Sequence, residues 1–162
     1  RVRSSAASDV YKRQESYREK HQGPVLSRAS ELFSSLTLGD HSGLTTGFGD
    51  DDKPVLVAIR KNKEQVQVEG LSDGTRDQLY LALRLAAIEH HVENVSPCPV
   101  ILDDILINSD DTRSSAALQV IGDLAKHAQV LFFTHHRRLA ELGMMADAQM
   151  IELDSLRGTG PV

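Results

Sequence analysis

Four short groups of residues in this chain carry the atoms that chemistry needs. Asp103 and Asp104 are adjacent carboxylates at the end of the apolar run Val100-Ile101-Leu102. One such carboxylate can hold Mg²⁺ through water while its neighbour orients or deprotonates an attacking water. Thr134-His135-His136 closes a second apolar run, residues 129–133, and Asn108-Ser109-Asp110 lies between the two. The fourth group, Leu71-Ser72-Asp73-Gly74-Thr75, is a Gly-containing turn opening onto a helical pattern. Such a turn offers a hydroxyl, free backbone N–H groups and the positive end of a helix dipole, which together suit a phosphate. Taken one at a time, each group also has a plain structural reading: a capped helix start, or acids that cap the next loop.

The elements around these groups follow from periodicity. Leu26, Ala29, Leu32, Phe33 and Leu36 share one face of a helix over residues 25–36. Residues 39–53, rich in Gly, Asp, Thr and Ser, predict a loop. Val55, Val57 and Ile59, then Val66 and Val68 beyond a polar turn, predict a β-hairpin. A helix over residues 75–91 is predicted from a capping box of Thr75 and Gln78, and its near-continuous apolar content predicts burial almost all round. Residues 99–102 predict a buried parallel strand, 112–127 a helix, 129–133 a second strand and 136–142 a short helix, with 148–153 as one more strand. This alternation argues for an α/β layer with a mostly parallel sheet and flanking helices, preceded by a β-hairpin. Parallel strands that end on one edge would bring Asp103, Asp104, His135 and His136 together.

Composition sets bounds. The 162 residues are 40% hydrophobic and 25% charged, as in one globular domain. The Ser/Ala/Arg-rich residues 1–14 resemble a translated adapter tail and are expected to be non-native or disordered. The absence of an initiator Met predicts that the natural chain begins upstream. Cys98 is the single cysteine, which excludes an intrachain disulfide and a cysteine-rich metal site. Neither a membrane span nor a signal peptide is visible, so the expected location is cytoplasmic with no membrane partner. The net charge is −5, and beyond residue 28 acids outnumber bases, so composition gives no support for a nucleic-acid surface.

The order and spacing of the four groups, over about residues 25–155, resemble the C-terminal lobe of a P-loop NTPase head of the ABC type. The stretch Leu71 to Ala86, together with Phe132-Phe133-Thr134-His135-His136, looks most like the SMC, SbcC and YhaN-like ATPases of DNA repair and chromosome maintenance. The resemblance implies an ATPase that uses ATP and Mg²⁺ at a head–head dimer interface. It puts Asp103 at the Walker B magnesium carboxylate and Asp104 where the family usually has a catalytic glutamate. Asp110 matches the D-loop aspartate, and either His135 or His136 the switch histidine. Ser72, Asp73 and Gly74 match the signature loop, which in the family reaches the γ-phosphate of ATP on the opposite subunit. Residues 15–38 would be the end of a coiled coil entering the head, and 39–162 the lobe itself. The implied partners are an N-terminal half carrying Walker A, a second head, a nuclease of the SbcD type, and DNA. No G-x-x-x-x-G-K-[ST] motif occurs in this chain, so the fragment alone is expected to be inactive. Two departures stand out: Asp73 replaces the first signature glycine, and Asp104 is one methylene shorter than glutamate.

Three other readings compete. An ABC-transporter nucleotide-binding subunit would use the same motifs, but there Pro usually follows the Walker B acids, and here Ile105 follows Asp104. A metal-dependent hydrolase could be built from Asp103, Asp104, His135 and His136, with His90 and His91 as extra ligands. Against it, adjacent histidines in extended chain point apart, so each pair offers one ligand readily. A head that only dimerises would need none of this chemistry.

Overall fold

The computed structural model describes residues 23–49 and 53–153. The expected tail, residues 1–14, and the first part of the expected coiled-coil entry, residues 15–22, lie outside the described residues. The chain falls into two compact units that divide between Pro97 and Cys98, within the span the motifs alone assign to one lobe.

In the first unit, helix α1 (residues 23–36) buries Ala29, Leu32, Phe33 and Leu36 on the face that their spacing predicts. It stops because Leu38 and Gly39 turn left-handed, with φ of 56° and 79°. The Gly39 N–H then donates to the Ser34 carbonyl at 2.9 Å, satisfying a helix end that would otherwise lack a donor.

Strand β1 (His41–Phe48) follows where the composition predicts a loop. It pairs antiparallel with β2 (Pro54–Arg60) along its whole length, with an irregularity between His41 and Gly43. Cross-strand pairing and the burial of Leu44 override the local turn propensity of the glycines, and Thr45 and Thr46 suit a pleated surface. Strand β3 (Gln65–Gln67) completes a three-stranded sheet in the order β1-β2-β3. Val68, expected to extend that strand, enters instead a 3₁₀ turn, η1 (Val68–Gly70).

Helix α2 (Asp73–Asn94) starts two residues before the expected Thr75. Its cap is Ser72, whose Oγ accepts the Thr75 N–H at 3.3 Å and shares a 2.8 Å hydrogen bond with the Thr75 hydroxyl. Gln78 closes no capping box; its Nε2 donates to the Leu36 carbonyl at 2.9 Å and ties α2 to the end of α1. Nor is α2 buried all round. Thr75, Gln78, Leu79, Ala82, Leu85 and Ala86 form one buried stripe, while Leu81, Leu83 and Ile88 are half-buried and Tyr80 is exposed. A helix packed on a single layer covers one face, whatever the apolar content of the others. Arg28 of α1 and Glu89 of α2 add an ion pair at 2.6 Å, and that hydrogen bond raises the pKa of the already strongly basic Arg28.

The second unit is built on β4 (Val100–Asp103) and β5 (Val130–Phe133), which run parallel with Asp103 opposite Phe133. Helix α3 (Asp111–Leu124) connects them and α4 (Arg137–Met145) follows. Strand β4 is not buried on both sides as expected: Val100 and Leu102 are covered, but Ile101 is 65% exposed. Its partner Leu131 and the next same-face residue Phe133 are exposed too. The strand expected over 148–153 does not form among the described residues, where Met150 and Ile151 lie exposed. An extended segment needs a neighbour for its backbone groups, and local alternation does not supply one.

A Cβ at Gly43 would collide with the Ser30 hydroxyl, which accepts the Leu44 N–H at 2.8 Å, and Gly43 itself has φ of 153°. Gly43→Ala is therefore expected to destabilise the first unit by about 1–3 kcal/mol, through left-handed strain and a lost, partly buried hydrogen bond. Urea denaturation of the two proteins measures it, and equal midpoints would show that the α1–β1 contact contributes nothing.

Candidate functional site

The parallel register brings the ends of β4 and β5 to one edge, and there the structure gathers Asp104, His135 and His136. The Asp104 N–H donates to the Phe133 carbonyl at 3.0 Å, continuing the ladder one residue past the strand. Asp104 then adopts φ of 47°, a left-handed conformation that Asp tolerates better than most residues. Its Oδ2 lies 2.7 Å from His135 Nδ1. One ligand-capable atom from each of Asp104, His135 and His136 lies within 4.8 Å of the others. Burial opposes ionisation of Asp104, but hydrogen bonds from its neighbours, His135 foremost, and the charge of His135 outweigh it. Its carboxyl is held below the ordinary carboxylate range.

The adjacent histidines do not point apart. Their ring centroids are 4.0 Å apart, because the chain has left the strand: His135 sits in a bend, and His136 is the residue preceding α4. The period-two rule holds only while the backbone stays extended. Thr134, the first residue of the group that includes both histidines, organises this turn; its Oγ1 accepts the His136 N–H at 3.1 Å. A Thr two residues before a helix N-cap is a sequence signal for such a turn.

Asp103 lies exposed at the end of β4 and does not join the cluster. As an exposed all-oxygen donor it fits a hard cation such as Mg²⁺, whereas one carboxylate with two imidazoles is a softer set. Asp110 caps α3, accepting the Arg113 N–H at 2.9 Å, with the Arg113 side chain 3.6 Å away. Arg138, unremarked in the sequence, joins α4 to the start of α3 through Asp111 at 2.9 Å. Ser72, Asp73 and Gly74 all lie at the start of α2, in the first unit. Gly74 is not among the positive-φ residues, so its backbone does not require glycine. His90 and His91 occupy the last turns of α2, where His90 bonds to Asn94, and neither belongs to the cluster.

The acids and histidines thus lie at the carboxyl edge of a parallel strand pair, where open α/β sheets place ligands. No protein-family model matches the chain. It is 34% identical over 119 residues to the uncharacterized protein YhaN of Bacillus subtilis, a match that covers 72% of this chain and 12% of that relative's length. A structure from work on ATP-driven dimerization and DNA-stimulated activation of SMC ATPases superposes with a TM-score of 0.62 at 17% identity, covering 76% of this chain and 74% of that one. The Smc head domain of Pyrococcus furiosus, with an extended coiled coil and bound to the C-terminal domain of ScpA, gives 0.62 at 17%, covering 86% and 34%. The fold is that of an SMC ATPase head. Similarity in fold and in sequence supports a fragment from the C-terminal part of an SMC/YhaN-like ATPase head, and the chain spans 12% of the length of YhaN.

The left-handed backbone at Asp104 makes a stability prediction that is independent of activity. Asp104→Gly should stay within about 1 kcal/mol of the parent, since glycine adopts φ of 47° freely and offsets the lost His135 contact. Asp104→Val should be destabilised by about 1–2 kcal/mol more, because a β-branched residue is strained there. Thermal unfolding of both variants tests this, and equal stabilities would mean that residue 104 is not held left-handed.

Proposed function

We propose that the whole protein is an SMC-like ATPase that closes two heads on ATP, and that this chain contributes one face of the composite site. The observation that carries the reading is the Asp104–His135 pair, with His136 beside it, at the carboxyl edge of β4 and β5. Bound Mg·ATP supplies the phosphoryl group to be transferred to water and the charge that stabilises it. Asp103 would hold the metal from the strand end. Asp104, kept ionised by its neighbours, would accept a proton from the attacking water, with His135 fixing its orientation. His135 or His136 would contact the γ-phosphate.

Ser72, Asp73 and Gly74 are read as the signature loop acting on nucleotide held by the other head. Glycine costs roughly 1 kcal/mol in a helix, and here no backbone angle calls for it. A residue without a side chain there leaves room for the γ-phosphate of nucleotide on the other head. The Ser72 cap is compatible when the Thr75 hydroxyl donates to Ser72 Oγ, which leaves the serine proton to be donated elsewhere. Asp110 would face the partner head from the start of α3. The exposed face of Ile101, Leu131 and Phe133 supports a covering layer from the Walker A half, because parallel sheets are normally covered on both sides. A second head, a nuclease of the SbcD type and DNA complete the proposed partners, in DNA repair or chromosome maintenance.

In the full-length head, Asp104→Asn is expected to leave ATP binding intact and to slow hydrolysis by about 10²–10⁴-fold, with the ATP-bound dimer persisting. Gly74→Arg should spare ATP binding by a single head and abolish ATP-driven dimerisation and turnover. Size-exclusion chromatography with ATP and a phosphate-release assay read both. Normal dimerisation and turnover in the Gly74→Arg head would reduce the loop to a helix cap and overturn the reading.

A further inference from the structure

We propose that Asp104, His135 and His136 form a binding site for a divalent transition-metal ion of the zinc class, distinct in position and chemistry from the magnesium carboxylate Asp103. The donor set is one carboxylate oxygen and two imidazole nitrogens. That combination suits borderline ions such as Zn²⁺ far better than Mg²⁺, which prefers oxygen and water. Three protein ligands with a fourth position open to water or substrate is also the form of open zinc sites.

Several geometric observations converge on it. The three candidate ligand atoms lie within 4.8 Å of one another. Tetrahedral ligands at about 2.0–2.1 Å from zinc are roughly 3.3 Å apart, so side-chain rotation suffices to close the set. Asp104 Oδ2 and His135 Nδ1, at 2.7 Å, already face each other. Asp104 Oδ1 and His136 Nε2 are both enclosed and have no hydrogen-bond partner, although buried polar atoms almost always find one. A bound cation would engage the unpaired atoms that the surrounding side chains leave unused. The backbone is held as well. The Asp104 N–H is fixed to the Phe133 carbonyl at 3.0 Å and the His136 N–H to Thr134 Oγ1 at 3.1 Å, so the ligands sit on a platform tied to β5.

Binding itself does not depend on the ATPase reading. Its consequence does: an ion at this site occupies the Asp104 carboxylate and both imidazoles, and so blocks turnover of the full head.

The test is calorimetric titration of the 162-residue chain with Zn²⁺ alone, beside Asp104→Asn, His136→Gln and a His90→Gln/His91→Gln control, with circular dichroism to verify folding. The expected result is one tight ion per chain, weakened at least about tenfold by either site substitution and unchanged in the control. Co²⁺ gives a readout that needs no variant: four-coordinate nitrogen and oxygen ligation produces strong visible absorption, and ligation by a lone surface histidine does not. Absence of tight Zn²⁺ binding overturns the site, as does loss of binding only in the His90/His91 control, or a Co²⁺ spectrum of six-coordinate type. Zn²⁺ inhibition of the full head, reversed by a chelator, tests the consequence separately. Binding without inhibition would leave the metal site standing and count against Asp104 as the group that handles water.

Discussion

The parallel pairing of β4 with β5 is the constraint on which the second unit depends. Its register sets Asp103 opposite Phe133, and the ladder runs one bond further, from the Asp104 N–H to the Phe133 carbonyl. That extra bond stops Asp104 from following the loop outward. With φ turned positive, the carboxylate meets the ring of His135, 31 residues later in sequence. A one-residue slip of β4 would exchange its two faces, exposing Val100 and Leu102 and separating the pair. Burial of Val100 and Leu102 thus helps to fix the chemistry at the edge.

The start of α2 illustrates how one residue serves structure and leaves room for function. Ser72 accepts an N–H to begin the helix, a role worth about 1 kcal/mol that a serine fills whether or not a phosphate ever approaches. Gly74, two residues on, has no positive φ, so its backbone angle alone does not call for glycine. Asp110 resembles Ser72 in this respect, since it caps α3 through the Arg113 N–H.

Asp103 and Asp104, adjacent in sequence, end in different chemical settings. Asp103 is still strand and stays exposed, an oxygen donor open to water and a hard cation. Asp104 has left the strand and lies among imidazoles, where hydrogen bonding and charge from its neighbours overcome the cost of burial and keep it ionised. The two side chains are identical, so the difference between them lies in the backbone that carries them.

Local pattern by itself determined the helices, the two parallel strands and the residues at their ends, because apolar periods of 3.6 and 2 report the buried face directly. The motif residues Ser72, Gly74, Asp103, Asp104, Asp110, His135 and His136 were legible for the same reason: each sits at an element boundary that composition marks. Other features belonged to the tertiary structure. Strand β1 was hidden in a Gly- and Thr-rich stretch, since only pairing with β2 makes it a strand. Gln78 resembled a capping-box residue until the Leu36 carbonyl came within reach. The parallel order predicted that the acids and histidines converge, but not that Asp104 alone meets both rings while Asp103 stays outside, which depends on the positive φ at Asp104 and the bend at His135. Backbone angles at strand ends are set by the neighbours they must satisfy, and those neighbours come from distant parts of the sequence.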